Sequence, residues 1–219
     1  GTVSGSNVGA GWGPDEPFHA DVGNRYSVWW KWTSPVNGIA TFSTAGTSFD
    51  PTILAVYQDT EITSSSVAIA SRSTWIQPDP LSFTVTKGKS YYIVVCGSNF
   101  YEDTWGKNQQ GNIVLTWNVE LYTPEISAWP TATEITYGDP LSASTLSGGS
   151  ASADGTFVFD DPDYVPDAAG TYNAAVTFVP ADLDTYDPVN GTVPVTVNKA
   201  PLTIKADDKS KTYGDDDPV

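Results

Sequence analysis

Methionine is absent from the 219 residues, cysteine and histidine occur once each, and only ten basic side chains face twenty-six acidic ones. Each scarcity removes a class of protein. One cysteine excludes an intrachain disulfide, and Cys96 sits in the apolar run Tyr91-Tyr-Ile-Val-Val-Cys96, the setting of a buried strand residue rather than a reactive thiol. One histidine excludes zinc sites built on several imidazoles. It also leaves a single candidate base for hydrolysis, with no Gly-x-Ser-x-Gly turn beside it. His19, in Pro17-Phe-His-Ala20, is therefore read as a structural hydrogen-bonding residue. The formal charge of -16 repels nucleic acid phosphates and anionic lipid surfaces, so no nucleic acid partner is expected. No apolar run approaches the ~20 residues of a membrane-spanning helix, so no membrane insertion is expected either. Phosphate-cradling glycine loops and dinucleotide fingerprints are missing. The lack of methionine even at position 1 is what a processed or excised fragment would show.

What the chain does have is β-forming sequence. Short runs of Val, Ile, Thr and aromatics alternate in polarity and are separated by Gly, Pro, Asn, Asp and Ser. In the first half the expected strands are 27–33, 38–43, 53–57, 67–71, 81–85, 90–95 and 111–121, enough for one sandwich. The last alternates most clearly, with Ile113, Leu115, Trp117, Val119 and Leu121 on the core face. Trp30 and Trp32 belong to the core by the same rule, and Trp29 points the other way. Sixteen prolines and nineteen glycines interrupt any helical period, so little or no helix is expected.

A boundary falls near Thr123-Pro124, where Trp-rich sequence gives way to an acidic region of Ala, Thr, Asp and Pro. Expected strands beyond it are 125–128, 134–137, 156–159, 170–178 and 191–198. Asp167-Ala-Ala-Gly-Thr-Tyr172 has the pattern of a tyrosine corner, giving Tyr172 a structural role in an immunoglobulin-like sandwich. An internal repeat follows: Pro124-Glu-Ile-Ser-Ala-Trp129 with Ile135-Thr-Tyr-Gly-Asp-Pro140 recurs as Pro201-Leu-Thr-Ile-Lys-Ala206 with Lys211-Thr-Tyr-Gly-Asp215. Tyr137 and Tyr213 are 76 residues apart, the length of one sandwich. The expected organisation is a first sandwich over residues 1-122, a second over 123-199, and the opening strands of a further repeat over 200-219. Isolated strands leave backbone groups unpaired, so this tail is expected to lean on the second domain, a neighbouring copy or another partner.

Glu16-Pro-Phe-His-Ala20, Ser27-Val-Trp-Trp-Lys-Trp-Thr-Ser-Pro35, Gly38-Ile-Ala-Thr-Phe-Ser43 and Phe83-Thr-Val-Thr-Lys-Gly-Lys-Ser-Tyr-Tyr-Ile-Val-Val95 together resemble the bacterial pre-peptidase C-terminal family. Its members are β-sandwiches appended to secreted proteases and surface proteins. At Cys96-Gly97 the chain departs from the family pattern, which has an acidic residue before the glycine. The second half resembles the bacterial immunoglobulin-like repeats that open on Tyr-Gly-Asp-Pro, here Tyr137-Gly-Asp-Pro140 and Tyr213-Gly-Asp215. Together the resemblances imply an extracellular, secreted or cell-surface location, tandem spacer or adhesive modules and no catalytic residue. Partners would then be other domains or copies of the same protein.

Two ligand classes remain as expectations. Calcium is one: Asp15, Glu16 and Asp21 form an acidic group where the first resemblance implies a calcium-binding loop, although none of the acidic clusters has the twelve-residue loop of an EF-hand. Polysaccharide is the other, through stacking of a pyranose on the exposed rings of Trp12, Trp29, Trp75 or Trp105. The first functional expectation is a structural and adhesive segment, with copies joining by strand pairing into a fibre. The alternative is a carbohydrate-binding accessory module of a secreted polysaccharide-degrading enzyme.

Overall fold

The computed structural model describes residues 1–11, 13–20, 24–50, 52–58, 61–73, 80–98, 109–206, 208–214 and 216. Among them the chain is all-β, as the alternation predicts, with one 3-10 turn at Leu141–Ala143. No helix among the described residues is long and apolar enough to cross a membrane. Two compact units divide it. The first comprises Gly1–Glu125, Ala153–Gly155 and Pro180–Pro188, the second Ile126–Ser152, Thr156–Val179 and Val189–Val219.

The first unit holds β1 (Thr2–Ser6), β2 (Asn24–Thr33), β3 (Gly38–Ser43), β4 (Ile53–Tyr57), β5 (Ala70–Ser73), β6 (Leu81–Val85), β7 (Ser90–Ser98) and β8 (Asn112–Glu120). They form two four-stranded antiparallel sheets, ordered β1-β8-β3-β6 and β2-β7-β4-β5. This is the strand order of an eight-stranded jelly roll. Its period-2 alternation sends Ala40, Phe42, Phe83, Val85, Ile113 and Leu115 from one sheet against Leu54, Val56, Tyr91, Ile93 and Val95 from the other. Trp30, Trp32, Trp117 and Val119 pack against that core. Each such large side chain, once fully buried, contributes about 1.5–3 kcal/mol against the ordering entropy of the chain.

Two elements differ from the sequence pattern. β1 carries no apolar period, because Thr-Val-Ser-Gly-Ser offers one large apolar residue, Val3. The ladder to β8, from Thr2 opposite Thr116 to Ser6 opposite Asn112, makes it a strand. The expected strand 67–71 lies instead at Ala70–Ser73, because Val67 and Ile69 point to solvent while Arg72 and Ser73 are buried.

β4 is buried at all five positions. Its sheet is therefore covered on both faces. Inward residues feed the main core, and Ala55, Tyr57 and Val94 form a separate apolar cluster on the outer face with Trp29, Ile62, Ala68 and Tyr92.

The second unit carries β9 (Ile126–Ala128), β10 (Thr131–Ala132), β11 (Ile135–Thr136), β12 (Leu146–Ser147), β13 (Ser150–Ala151), β14 (Gly155–Phe159), β15 (Gly170–Pro180) and β16 (Val189–Asn198). A four-stranded sheet runs β11-β16-β15-β14, beside the two-stranded ribbons β10-β12 and β13-β9. The very short strands β10, β12 and β13 add to the sequence expectation, since two residues carry no periodicity. Ile135, Leu141, Ala174, Val195 and Val197 make the core, with Phe159, Tyr164 and Tyr172 packed on it. Trp129 meets Phe157 edge to face at 5.6 Å, and Phe157 meets Phe178 at a tilt at 5.1 Å. Gly191 is required beneath this trio, because a Cβ there would lie 2.3 Å from the Trp129 ring.

The Tyr-Gly-Asp motif is a turn. β11 pairs parallel with β16, Ile135 opposite Val197, and the Tyr137 amide donates to the Asn198 carbonyl at 2.7 Å. Asp139 closes the turn, its side chain accepting from the Thr136 amide at 3.0 Å and its own amide donating to the Thr136 carbonyl at 2.9 Å. Gly138 takes φ +99, a left-handed value that favours glycine. In the second copy Gly214 takes φ +97 in the same kind of turn. There, however, the described residues between 198 and 216 are exposed and form no strand, with Leu202 and Ile204 each 84% exposed. Among the described residues, the tail therefore adds no strand to the second unit. What it keeps is the local turn.

Candidate functional site

Among the described residues, a buried hydrogen-bonded group of polar side chains lies on the outer face of the β2-β7-β4-β5 sheet. It begins with Gly13-Pro-Asp-Glu16. Proline presets the second position of a β-turn, and the Glu16 amide donates to the Gly13 carbonyl at 3.1 Å. The Gly13 amide in turn donates to Glu16 Oε2 at 3.2 Å. The turn thus aims the Glu16 carboxylate back at the sheet.

Trp29 meets that carboxylate from β2. The β2–β7 register shifts between Arg25 and Val28, and Tyr26 takes φ +61, the signature of a bulge that re-aims the residues following it. Past the bulge Trp30 and Trp32 face the core, while Trp29 faces outward and donates its indole N–H to Glu16 Oε1 at 2.8 Å. His19 completes the group, with Nε2 at 3.3 Å from Glu16 Oε1 and Nδ1 at 2.7 Å from the Tyr57 hydroxyl. A carboxylate only accepts, so Nε2 carries the hydrogen that faces Glu16; in the neutral ring Nδ1 then accepts from the Tyr57 hydroxyl. The rings of His19, Trp29 and Tyr57 lie 5.3–5.6 Å apart.

Burial pushes the Glu16 carboxyl upward. Polar neighbours outweigh it, His19 first, then the Ser27 hydroxyl, Trp29 and the Gly13 amide, and hold the group below its ordinary value of 4.5. Tyr57 is driven well above its ordinary value, first by burial and then by neighbouring negative charge, so it remains a donor. Burial likewise drives up the Cys96 thiol, which is fully enclosed and keeps its proton.

Chemically this chain of groups is a clamp. His19 and Tyr57 are 0% exposed, so no reactant touches either. Their hydrogen bonds fasten the 13–19 segment onto the sheet and fix the Trp29 ring. Glu16, one of the three residues of the expected calcium group, has both oxygens engaged by protein donors. A cation there would compete with Trp29, His19 and Gly13. Asp15 is exposed beside it. Among the described residues, no three His, Cys, Asp or Glu side chains converge as a metal site would need. Asp21, Trp12, Trp75 and Trp105 lie outside the described residues. Tyr172 is in the second unit on β15, stacked on Tyr164 at 5.1 Å across the preceding turn.

The clamp opens onto a concavity of about 460 Å³ lined by Gly13, Pro14, Asp15, Glu16, Trp29, Ile62 and Tyr92. Nothing in the sequence alone marks Tyr92 and Ile62 as part of a site. Alternation along β7 places Tyr92 outward, but only the pairing of β2 with β7, Lys31 opposite Tyr92, brings it beside Trp29. No protein-family model matches the chain, and no curated protein matches it.

Proposed function

We propose that this chain is a non-catalytic, extracellular segment of a larger bacterial surface or secreted protein, in which successive β-sandwich modules serve as a structural and adhesive array. The observation that carries this reading is the recurrence of one turn. Tyr137-Gly138 and Tyr213-Gly214 share their sequence and their left-handed glycine, but among the described residues only the first has a partner strand, β16. The second copy is then the opening of a further immunoglobulin-like module whose own β16 equivalent would close it. The resemblance of residues 1-122 to pre-peptidase C-terminal sandwiches supports the extracellular setting.

Exposed, alternating Leu202 and Ile204 also suit pairing with an open sheet edge of another copy, the basis for assembly into a fibre. Appending the chain's own residues 144–199 after Val219 supplies the missing part of a module in the register of the repeat. The array reading expects the amides of 202–206 to gain hydrogen-exchange protection and calorimetry to show an added transition. Amides that go on exchanging freely would defeat it. Sedimentation of the 219-residue chain against residues 1-199 tests the fibre separately. Self-association lost with the tail supports it, and two monomers remove the fibre while leaving the array.

A further inference from the structure

The concavity beside the Glu16–His19 clamp is built as a binding surface. Trp29 is half-buried, with its indole N–H already committed to Glu16 and its protein side backed by His19 and Tyr57. The ring is therefore held in place before any ligand arrives, which removes an ordering cost from binding. Ile62 and Tyr92 extend the apolar floor. Asp15, an exposed acceptor, lines the concavity, and Lys31, an exposed donor outside that lining, has its ammonium 5.9 Å from the centre of the Tyr92 ring.

Charge decides the ligand class. The Lys31 ammonium already occupies a cation position over Tyr92, so a second cation would be repelled there. An anion meets Asp15 and a chain of net charge -16. A neutral ligand with one flat apolar face and hydroxyls around its edge satisfies every group present: C–H bonds on the indole, hydroxyls toward the carboxylate and the ammonium. We propose that the groove lined by Trp29, Tyr92, Ile62 and Asp15, with Lys31 beside Tyr92, binds a neutral saccharide, with Trp29 as the stacking platform. The site is independent of the modular-array reading, since it lies wholly within the first unit and needs no further repeat.

The test titrates the full 219-residue chain, 15N-labelled, with cellohexaose, laminarihexaose and chitohexaose, following the Trp29 indole N–H and the Tyr92 and Lys31 amides by NMR. Saturable shifts at these positions with at least one probe are expected. In variants whose melting temperature matches the wild type, Trp29→Ala weakens that affinity about tenfold. Asp15→Asn, at an exposed site that the fold does not need, weakens it about threefold. Should Trp29→Ala not fold, the wild-type shift map and Asp15→Asn still decide the matter. Absence of shifts with all three sugars overturns the proposal. So does saturable binding of tetramethylammonium at the same resonances without any sugar response.

Discussion

Two copies of one motif, Tyr137-Gly138-Asp139 and Tyr213-Gly214-Asp215, show what local sequence specifies and what only a neighbouring strand provides. Both glycines adopt nearly the same left-handed backbone, φ +99 and +97. The turn is thus written into the residues themselves. Order beyond the turn is not. The first copy has Ile135 buried in a core at 4% exposure and Tyr137 bonded to Asn198, whereas Tyr213 is fully exposed. A strand becomes part of a sheet through a partner, and isolated strands are not stable in water.

The largest effect comes from breaking the partner. Val197→Asp places a charge opposite Ile135 in the second core, and a loss of more than about 4 kcal/mol is expected, enough to unfold that unit. Hydrogen exchange then finds Tyr137 as open as Tyr213, while Ile93 in the first core keeps its protection. Persisting protection at Tyr137 would show that the turn does not depend on β16.

A smaller effect separates the copies at the position two residues before the tyrosine. Ile135→Ala empties core volume and costs about 2–4 kcal/mol in denaturant unfolding, but Lys211→Ala, on an exposed residue, changes stability by less than about 0.5 kcal/mol. Smaller again is Asp139→Ala, which removes the acceptor for the Thr136 amide and is expected to cost about 1 kcal/mol. Gly138→Ala has an effect of the same size. No atom lies within 4 Å of the added Cβ, so only the left-handed backbone resists, at about 1 kcal/mol. The matching Gly214→Ala leaves thermal unfolding unaltered.

Those contrasts also mark how far the sequence can be read. Alternation along β8 is enough to send Ile113, Leu115, Trp117 and Val119 to the core, because a half-buried strand shows its period in every second residue, whereas Leu121, expected with them, lies past the end of the strand and outside that core. β1 and the two-residue strands β10, β12 and β13 escape such a reading, since their stability comes from ladder bonds to neighbouring strands and leaves no apolar period to detect. The site divides in the same way. Trp29's outward direction follows from its parity with Trp30 and Trp32. Its partners Glu16, His19 and Tyr57 come from separate stretches that meet only when the 13–19 segment folds over the sheet, and no spacing encodes that meeting. Acidic spacing suggests a cation at Asp15, Glu16 and Asp21; the hydrogen bonds of Glu16 to Trp29, His19 and Gly13 are not visible in that spacing, and Asp21 lies outside the described residues.

The comparison of the two turns is tested most directly by amide hydrogen exchange at Tyr137 and Tyr213 within the same 219-residue chain. Tyr137, bonded to the Asn198 carbonyl, is expected to exchange orders of magnitude more slowly than Tyr213, whose amide exchanges near the rate of an unstructured peptide. Equal protection at the two positions would contradict this, because the second copy would then already possess a partner strand.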